Sequence, residues 1–344
     1  MLNPEIDKFL REVLERRHST ELDNLIEYEA FCGRAEGKSQ KTIALTALAL
    51  TKLKNFLEEN HLPTEARMIG AEEMRHFILH LQGSKRFDNH PYAKSQERGL
   101  SRLSINCYLR AVRAAFNRWV DGGLLETTPF SKVTIPKAPK KVIPTFSEQQ
   151  LDAFFHAIDT STPKGFRDYT LFLLYLDTMC RLSEATNASV EDLNMQERTL
   201  RVVGKGNRQR LVPFGVTVQK TVWKYLNFYR PQPAVPNHDY VFLTRDGRQL
   251  TKNRVEELMK KYGQRAGIKG VRCSPHTLRH TACVMWIRNG GDIFSLQRIT
   301  GHSSLEVLRG YINLAQSDIS AAHRRNSPID NLGLRISTAR RPRK

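Results

Sequence analysis

Apolar positions in the first 125 residues recur mostly at helical spacing. In "GKSQKTIALTALALTKLKNFLEEN" (37–60), Ile43, Leu45, Leu48, Leu50, Leu53, Phe56 and Leu57 predict a helix, with Ser39 as its N-cap. "LSRLSINCYLRAVRAAFNRWVDGGLL" (100–125) predicts a long helix whose apolar face holds Leu103, Tyr108, Leu109, Val112, Phe116 and Trp119. Gly122 and Gly123 supply its stop. Residues 5–17, 20–33 and 71–82 read as further helices, the last with acidic residues in its first turn. Residues 83–99 are polar, with Gly, Pro and Lys/Arg, and read as a loop. The first part is thus an all-helical bundle.

The pattern breaks at "TPFSKVTIPKAPKKVIPTFSEQQ" (128–150), where four prolines interleave with lysines. That extended, basic composition is typical of an interdomain linker. Beyond it, Ser147 caps a helix over 148–159, and an apolar helix follows at 167–178. "TLRVVGKGNRQRLVPF" (199–214) alternates like two strands around a Gly204–Asn207 turn. Residues 239–251 read as another short strand and turn. Helices then dominate up to a basic tail, 335–344, that is expected to be disordered. The fold class is mainly α with a small β-sheet.

Charge narrows the function. Lys+Arg total 54 against Asp+Glu 35, a formal net charge of +19. Residues 1–140 hold 22 basic and 18 acidic residues, or +4; the remainder holds 32 and 17, or +15. The second half is therefore the better candidate to handle a polyanion, nucleic acid or an anionic membrane face. Cys32, Cys107, Cys180, Cys273 and Cys283 are odd in number, widely spaced and free of any C-x-x-C pair. This argues against a disulfide framework and a cysteine zinc site, and favours a reducing, cytoplasmic location. No run approaches the roughly 18 apolar residues of a membrane span.

Six polar residues of the second half stand in contexts that suggest chemistry. Arg181 follows the apolar run "LFLLYLDTMC", so its charge is expected to be partly buried and to need an anion, either Glu184 or a phosphate. Lys205 sits at a glycine-flanked hairpin tip. "SPHTLRH" (274–280) places His276 and His280 four apart, as in a zinc chelate, yet Thr277 stands where a metalloprotease has Glu. Arg279 at a helix N-terminus is unfavourable unless an anion offsets it, which favours phosphate over metal. His302 could still complete a zinc site. Each residue also has a plain structural reading: an ion pair for Arg181, a solvated turn for Lys205, a packed core histidine for His280, a cap for His302 and a core aromatic for Tyr311.

Taken together, "RLSE", "VGKGNRQRLVP", "HTLRHT", "GHSS" and Tyr311, in that order, resemble the tyrosine recombinase (phage integrase) family. The resemblance extends over the chain beyond about residue 20. It implies a helical core-binding (SAM-like) DNA-binding domain at 1–128, a basic proline-rich linker at 129–146, a mixed α/β catalytic domain at 147–325 and a basic tail at 326–344. The family commonly has Thr-Gly-Leu before the first arginine, where this chain has Thr178-Met179-Cys180, so the local packing there should differ.

The resemblance further implies a site-specific recombinase working through a 3′-phosphotyrosyl intermediate and a Holliday junction. Tyr311 is then the nucleophile and His276 the proton acceptor. Arg181 and Arg279 clamp the phosphate, Lys205 protonates the leaving 5′-oxygen, His302 donates a hydrogen bond and Glu184 supports. No cofactor or metal is implied, because the phosphotyrosyl ester conserves the bond energy. The implied partners are double-stranded DNA carrying a specific site, clamped between the two domains, and three further copies in a tetramer docked through a C-terminal helix (317–325). The rival readings are type IB topoisomerase-like relaxation, a non-catalytic DNA-binding protein of the same fold and a metal-dependent hydrolase.

Overall fold

Ser39 Oγ accepts the backbone N–H of Thr42 and starts a helix where the apolar period begins. The same local chemistry recurs through the chain. Ser101, Ser147, Thr162, Thr251, Ser274 and Asp292 each cap a helix start by accepting a backbone N–H. The computed structural model describes residues 19–86, 96–137, 144–204, 208–236, 238–302, 304–305, 308, 310–311, 323–324 and 327–332. The expected helix at 5–17, the hairpin tip with Lys205, most of 317–325 and the tail at 335–344 lie outside the described residues.

The chain divides into two compact units, Met1–Lys141 and Val142–Lys344. The first holds α1 (Leu22–Ala35), α2 (Gln40–Glu59), α3 (Ala71–Gly83), a short antiparallel pair β1 (Lys85–Arg86) and β2 (Gln96–Gly99), and α4 (Arg102–Asp121). Its core gathers Leu25, Leu50, Leu53, Phe77, Phe116 and Trp119. The strand pair corrects the reading of 83–99 as loop alone. Leu45, Leu48 and Leu103 are exposed and not part of the apolar faces assigned to them. At 100° per residue, Leu45 and Leu48 point roughly opposite the Ile43–Leu50–Leu57 stripe.

The second unit comprises α5 (Glu148–His156), α6 (Pro163–Thr178), α7 (Leu182–Asn187), β3 (Leu193–Asn194), β4 (Thr199–Val203), β5 (Gln209–Pro213), α8 (Val216–Phe228), α9 (Lys252–Arg265), α10 (Pro275–Arg288), α11 (Ile293–Thr300) and a short α12 (Pro328–Asn331). The strands form one antiparallel sheet, β3-β4-β5, with Val203 opposite Gln209 at the hairpin end. β3 is a strand that the alternation does not signal, being only two residues long. Residues 239–251 form no strand; they hold isolated bridges, Ser189 to Tyr240 and Leu243 to Gln249. Phe154, Phe172, Tyr225, Phe242 and Leu278 fill the core.

Met179 ends α6 in the left-handed region, at φ +49°, with its side chain buried. That backbone costs a non-glycine residue about 1–2 kcal/mol. It occupies the position where the family pattern has glycine, and burial of the thioether offsets the cost. The turn it makes delivers Cys180 and Arg181 to the start of α7.

Candidate active site

The site is built around one carboxylate. Glu184, in the first turn of α7, is buried. Its Oε2 accepts the backbone N–H of Arg181 at 2.7 Å, and its Oε1 accepts Arg181 Nη1 at 3.0 Å. From β5, Arg210 donates Nη1 to Oε1 at 2.9 Å and Nη2 to Oε2 at 2.7 Å. Burial pushes the Glu184 pKa up, but Arg210, the Arg181 N–H and the Arg181 guanidinium outweigh it and hold the carboxyl below its ordinary value.

The end of α11 supplies a row of backbone carbonyls to the same arginines. Arg210 Nε donates to Ile299 O at 2.9 Å, Arg279 Nη2 to Thr300 O at 2.9 Å, and Arg181 Nη2 to Gly301 O at 2.9 Å. A helix C-terminus carries unsatisfied carbonyls and partial negative charge, so it suits guanidinium groups. Gly301 closes the helix at φ +65°, and a Cβ there would lie 3.0 Å from the Arg210 guanidinium carbon.

Arg279 is buried on α10, and its Nη1 has no hydrogen-bond partner among the described residues. Its Nη2 also lies 3.4 Å from His302 Nε2, while His302 Nδ1 is 2.8 Å from Thr300 Oγ1. Burial, then Arg279 and Arg181, lowers the His302 pKa to about 4 and leaves the ring neutral near pH 7. Three guanidiniums thus meet at the end of α11, and the one carboxylate there, Glu184, pairs with two of them. The excess positive charge and the unpaired Nη1 suit an incoming anion with several acceptor oxygens, which a phosphodiester provides.

Tyr311 is buried beside this cluster. Its ring centroid lies 5.1 Å from that of His280 and 6.3 Å from that of His302. Burial, then the adjacent Cys283 thiol, raises its pKa above that of free tyrosine; Arg279 acts in the opposite sense. His276 is exposed on the first turn of α10, and its Nε2 lies 2.8 Å from His280 Nε2. Burial, then Arg279 and Arg272, lowers the His276 pKa.

The fold therefore brings Arg181, Arg279 and His302 to one turn, ties Glu184 to it through Arg181 and Arg210, and links His276 to Tyr311 through His280. Three participants escape a reading by sequence. Arg210 looks like any charged residue of an exposed strand, and only its period-two placement opposite Val202 hints that it points inward. Thr300 and Cys283 carry no motif of their own. His280, read as a packed core histidine, is half-buried between His276 and Tyr311. Among the described residues no group of three or more His, Cys, Asp or Glu side chains is arranged to hold a metal ion. No helix among them is long and apolar enough to cross a membrane.

Comparison with known proteins matches residues 144–318 to the phage integrase family. Tyrosine recombinase XerC of Bacillus subtilis (strain 168) is 29% identical over 267 residues, covering 75% of this chain and 87% of that protein. Tyrosine recombinase XerD of Staphylococcus epidermidis is 28% identical over 297 residues, covering 85% and 94%. Among solved structures, XerH site-specific recombinase bound to palindromic difH substrate aligns at a TM-score of 0.67 and 18% identity, over 94% of this chain and 89% of that one. The Tn1549 transposon integrase in complex with transposon right end DNA aligns at 0.65 and 20%, over 88% and 99%.

Proposed function

The chain belongs to the phage integrase family and is a tyrosine-type site-specific DNA recombinase; we propose that Tyr311 is its nucleophile and that Arg181, Lys205, His276, Arg279 and His302 serve it. The observation that carries this assignment is the buried Nη1 of Arg279, unpartnered among the described residues, in a group of three arginines where one carboxylate pairs with only the other two. A phosphodiester is the ligand that pairs such a donor and absorbs the surplus charge.

Tyr311 attacks the scissile phosphorus; an O–P bond to the phenol oxygen forms and the bond to the 5′-oxygen breaks. His276 takes the phenolic proton. Arg181 and Arg279 hold the non-bridging oxygens as charge builds on them, and His302 adds a hydrogen bond. Lys205, assigned on its motif alone, gives a proton to the 5′-oxygen. A 5′-hydroxyl of the partner duplex then reverses the chemistry. Glu184 orients the arginines without touching the reacting atoms. The raised pKa of Tyr311 fits a phenol that stays protonated until a base and a phosphate are both in place.

Residues 1–128 are proposed to bind the core of the site, 129–146 to link and 147–325 to catalyse. XerH and the Tn1549 integrase are structures of the same fold bound to DNA, which supports DNA as the partner here. A tetramer on paired sites, docked through the segment at 317–325, is the assembly proposed. Nicked DNA of the cognate site, which traps the intermediate, tests the chemistry. Wild-type protein should form a denaturation-resistant protein–DNA adduct, and Tyr311→Phe should bind the DNA without forming one. An adduct of equal yield in the variant would remove Tyr311 from the mechanism. Relaxation of supercoiled plasmid lacking the site would instead favour a topoisomerase.

A further inference from the structure

We propose that His280 is a positioning residue for cleavage: it accepts a hydrogen bond from Nε2 of His276 and so fixes the tautomer in which Nδ1 of His276 is free to take a proton. The inference rests on the assignment of His276 as proton acceptor.

The two Nε2 atoms lie 2.8 Å apart, so one hydrogen sits between them. If His280 donates, His276 accepts at Nε2 and must carry its own hydrogen on Nδ1, which leaves it no lone pair for a proton. If His276 donates, its Nδ1 lone pair is open. Only the second arrangement makes His276 a base. When His276 is then protonated, the new imidazolium keeps donating into a bond already made.

The surroundings favour a neutral His280 as the acceptor. It is half-buried, with His276 and Arg279 on its own helix and Tyr311 packed on its ring. Among the described residues, Arg272 acts on His276 from the loop before α10, His302 lies close enough to His280 to be coupled to it, and Cys283 lies beside Tyr311. Burial, then the positive field of His276 and Arg279, brings the His280 pKa to about 4. A single residue thereby orients the base and seats the ring of the nucleophile. The logic is that of an orienting partner in a catalytic triad, with an imidazole in place of the carboxylate.

The test compares His280→Phe, which keeps a ring against Tyr311 but accepts no hydrogen bond, with His280→Gln, which keeps an acceptor. Single-turnover adduct formation on nicked substrate is measured from pH 5 to 9. His280→Phe should lose about tenfold or more in rate at pH 7, part of the roughly 10²–10⁴ that a general base contributes. Its acid limb should move to lower pH, because protonated His276 loses its acceptor. His280→Gln should recover most of the rate. Equal rates in wild type and His280→Phe, or equal losses in both variants with the acid limb unmoved, would overturn the inference. His276→Gln runs alongside: a wild-type rate there would overturn the assignment of His276 and this inference with it, whereas a defect there beside a normal His280→Phe overturns the inference alone. Independently of any variant's folding, nitrogen-15 NMR of labelled histidines in the wild type should show His276 protonated at Nε2; protonation at Nδ1 would refute the proposal.

Discussion

Arg181 and Arg279 donate to consecutive carbonyl oxygens of one turn, Gly301 and Thr300, each at 2.9 Å. Two residues almost a hundred positions apart are held by neighbouring backbone atoms, so their spacing is set before DNA arrives. Preorganisation of this kind lets charge that develops on a phosphate meet fixed donors rather than reorganising ones.

Arg279 is buried and has no carboxylate partner among the described residues, so it should cost stability and supply catalysis. Arg279→Met is expected to leave the urea unfolding midpoint unchanged or raised. Adduct formation should fall by about 10²–10³, the usual effect of losing one preorganised donor. A variant that is both unstable and inactive would mean that the guanidinium is structural.

Glu184 compensates two guanidiniums at once. Glu184→Gln keeps the shape and removes the charge. It should destabilise the second unit by about 3 kcal/mol, since breaking a buried pair strands its partner. Chemical denaturation measures this, and adduct formation should fall while non-specific DNA binding persists.

Gly301→Ala adds a methyl at φ +65° and directly against Arg210. The strained backbone alone costs about 1 kcal/mol. Displacement of Arg210 from Ile299 O and Glu184 should add to this. Thermal melting should show a lower Tm, and cleavage should weaken although no proposed catalytic side chain has changed.

His302 and His280 both have folded pKa values of about 4, below the roughly 6.5 of an exposed imidazole. Between those values the unfolded chain binds more protons than the folded one. Stability is therefore complete above about pH 6.5 and is lost as pH falls toward 4. Denaturation midpoints of DNA-free protein should trace that slope, and His302→Gln should flatten it.

The parts of the fold that could be read in advance are those whose causes are local. Ser39 with Ile43 and Leu50, or Ser147 with Gln150, carry cap and period within a few residues. The pair of strands at Lys85 and Gln96 was hidden because each is short and gains its hydrogen bonds only from the other. The site divides in the same way. Arg181, Arg279, His302 and Tyr311 stand in recognisable local motifs. Arg210 depends on Glu184, 26 residues earlier, and on carbonyls 89 and 90 residues later, so nothing near it in the chain announces its task.

The carbonyls of Ile299, Thr300 and Gly301 have a consequence for how this protein can change over generations. A carbonyl belongs to every amino acid alike, so substitutions at 299 leave its grip on Arg210 chemically intact. Gly301 is different, because no other residue gives that turn without crowding the guanidinium. The proposed phosphate clamp is thereby insulated from most inherited side-chain drift in the turn that anchors it. Its exposure is to events that shift α11 as a body, and those can arise far from any residue the chemistry uses.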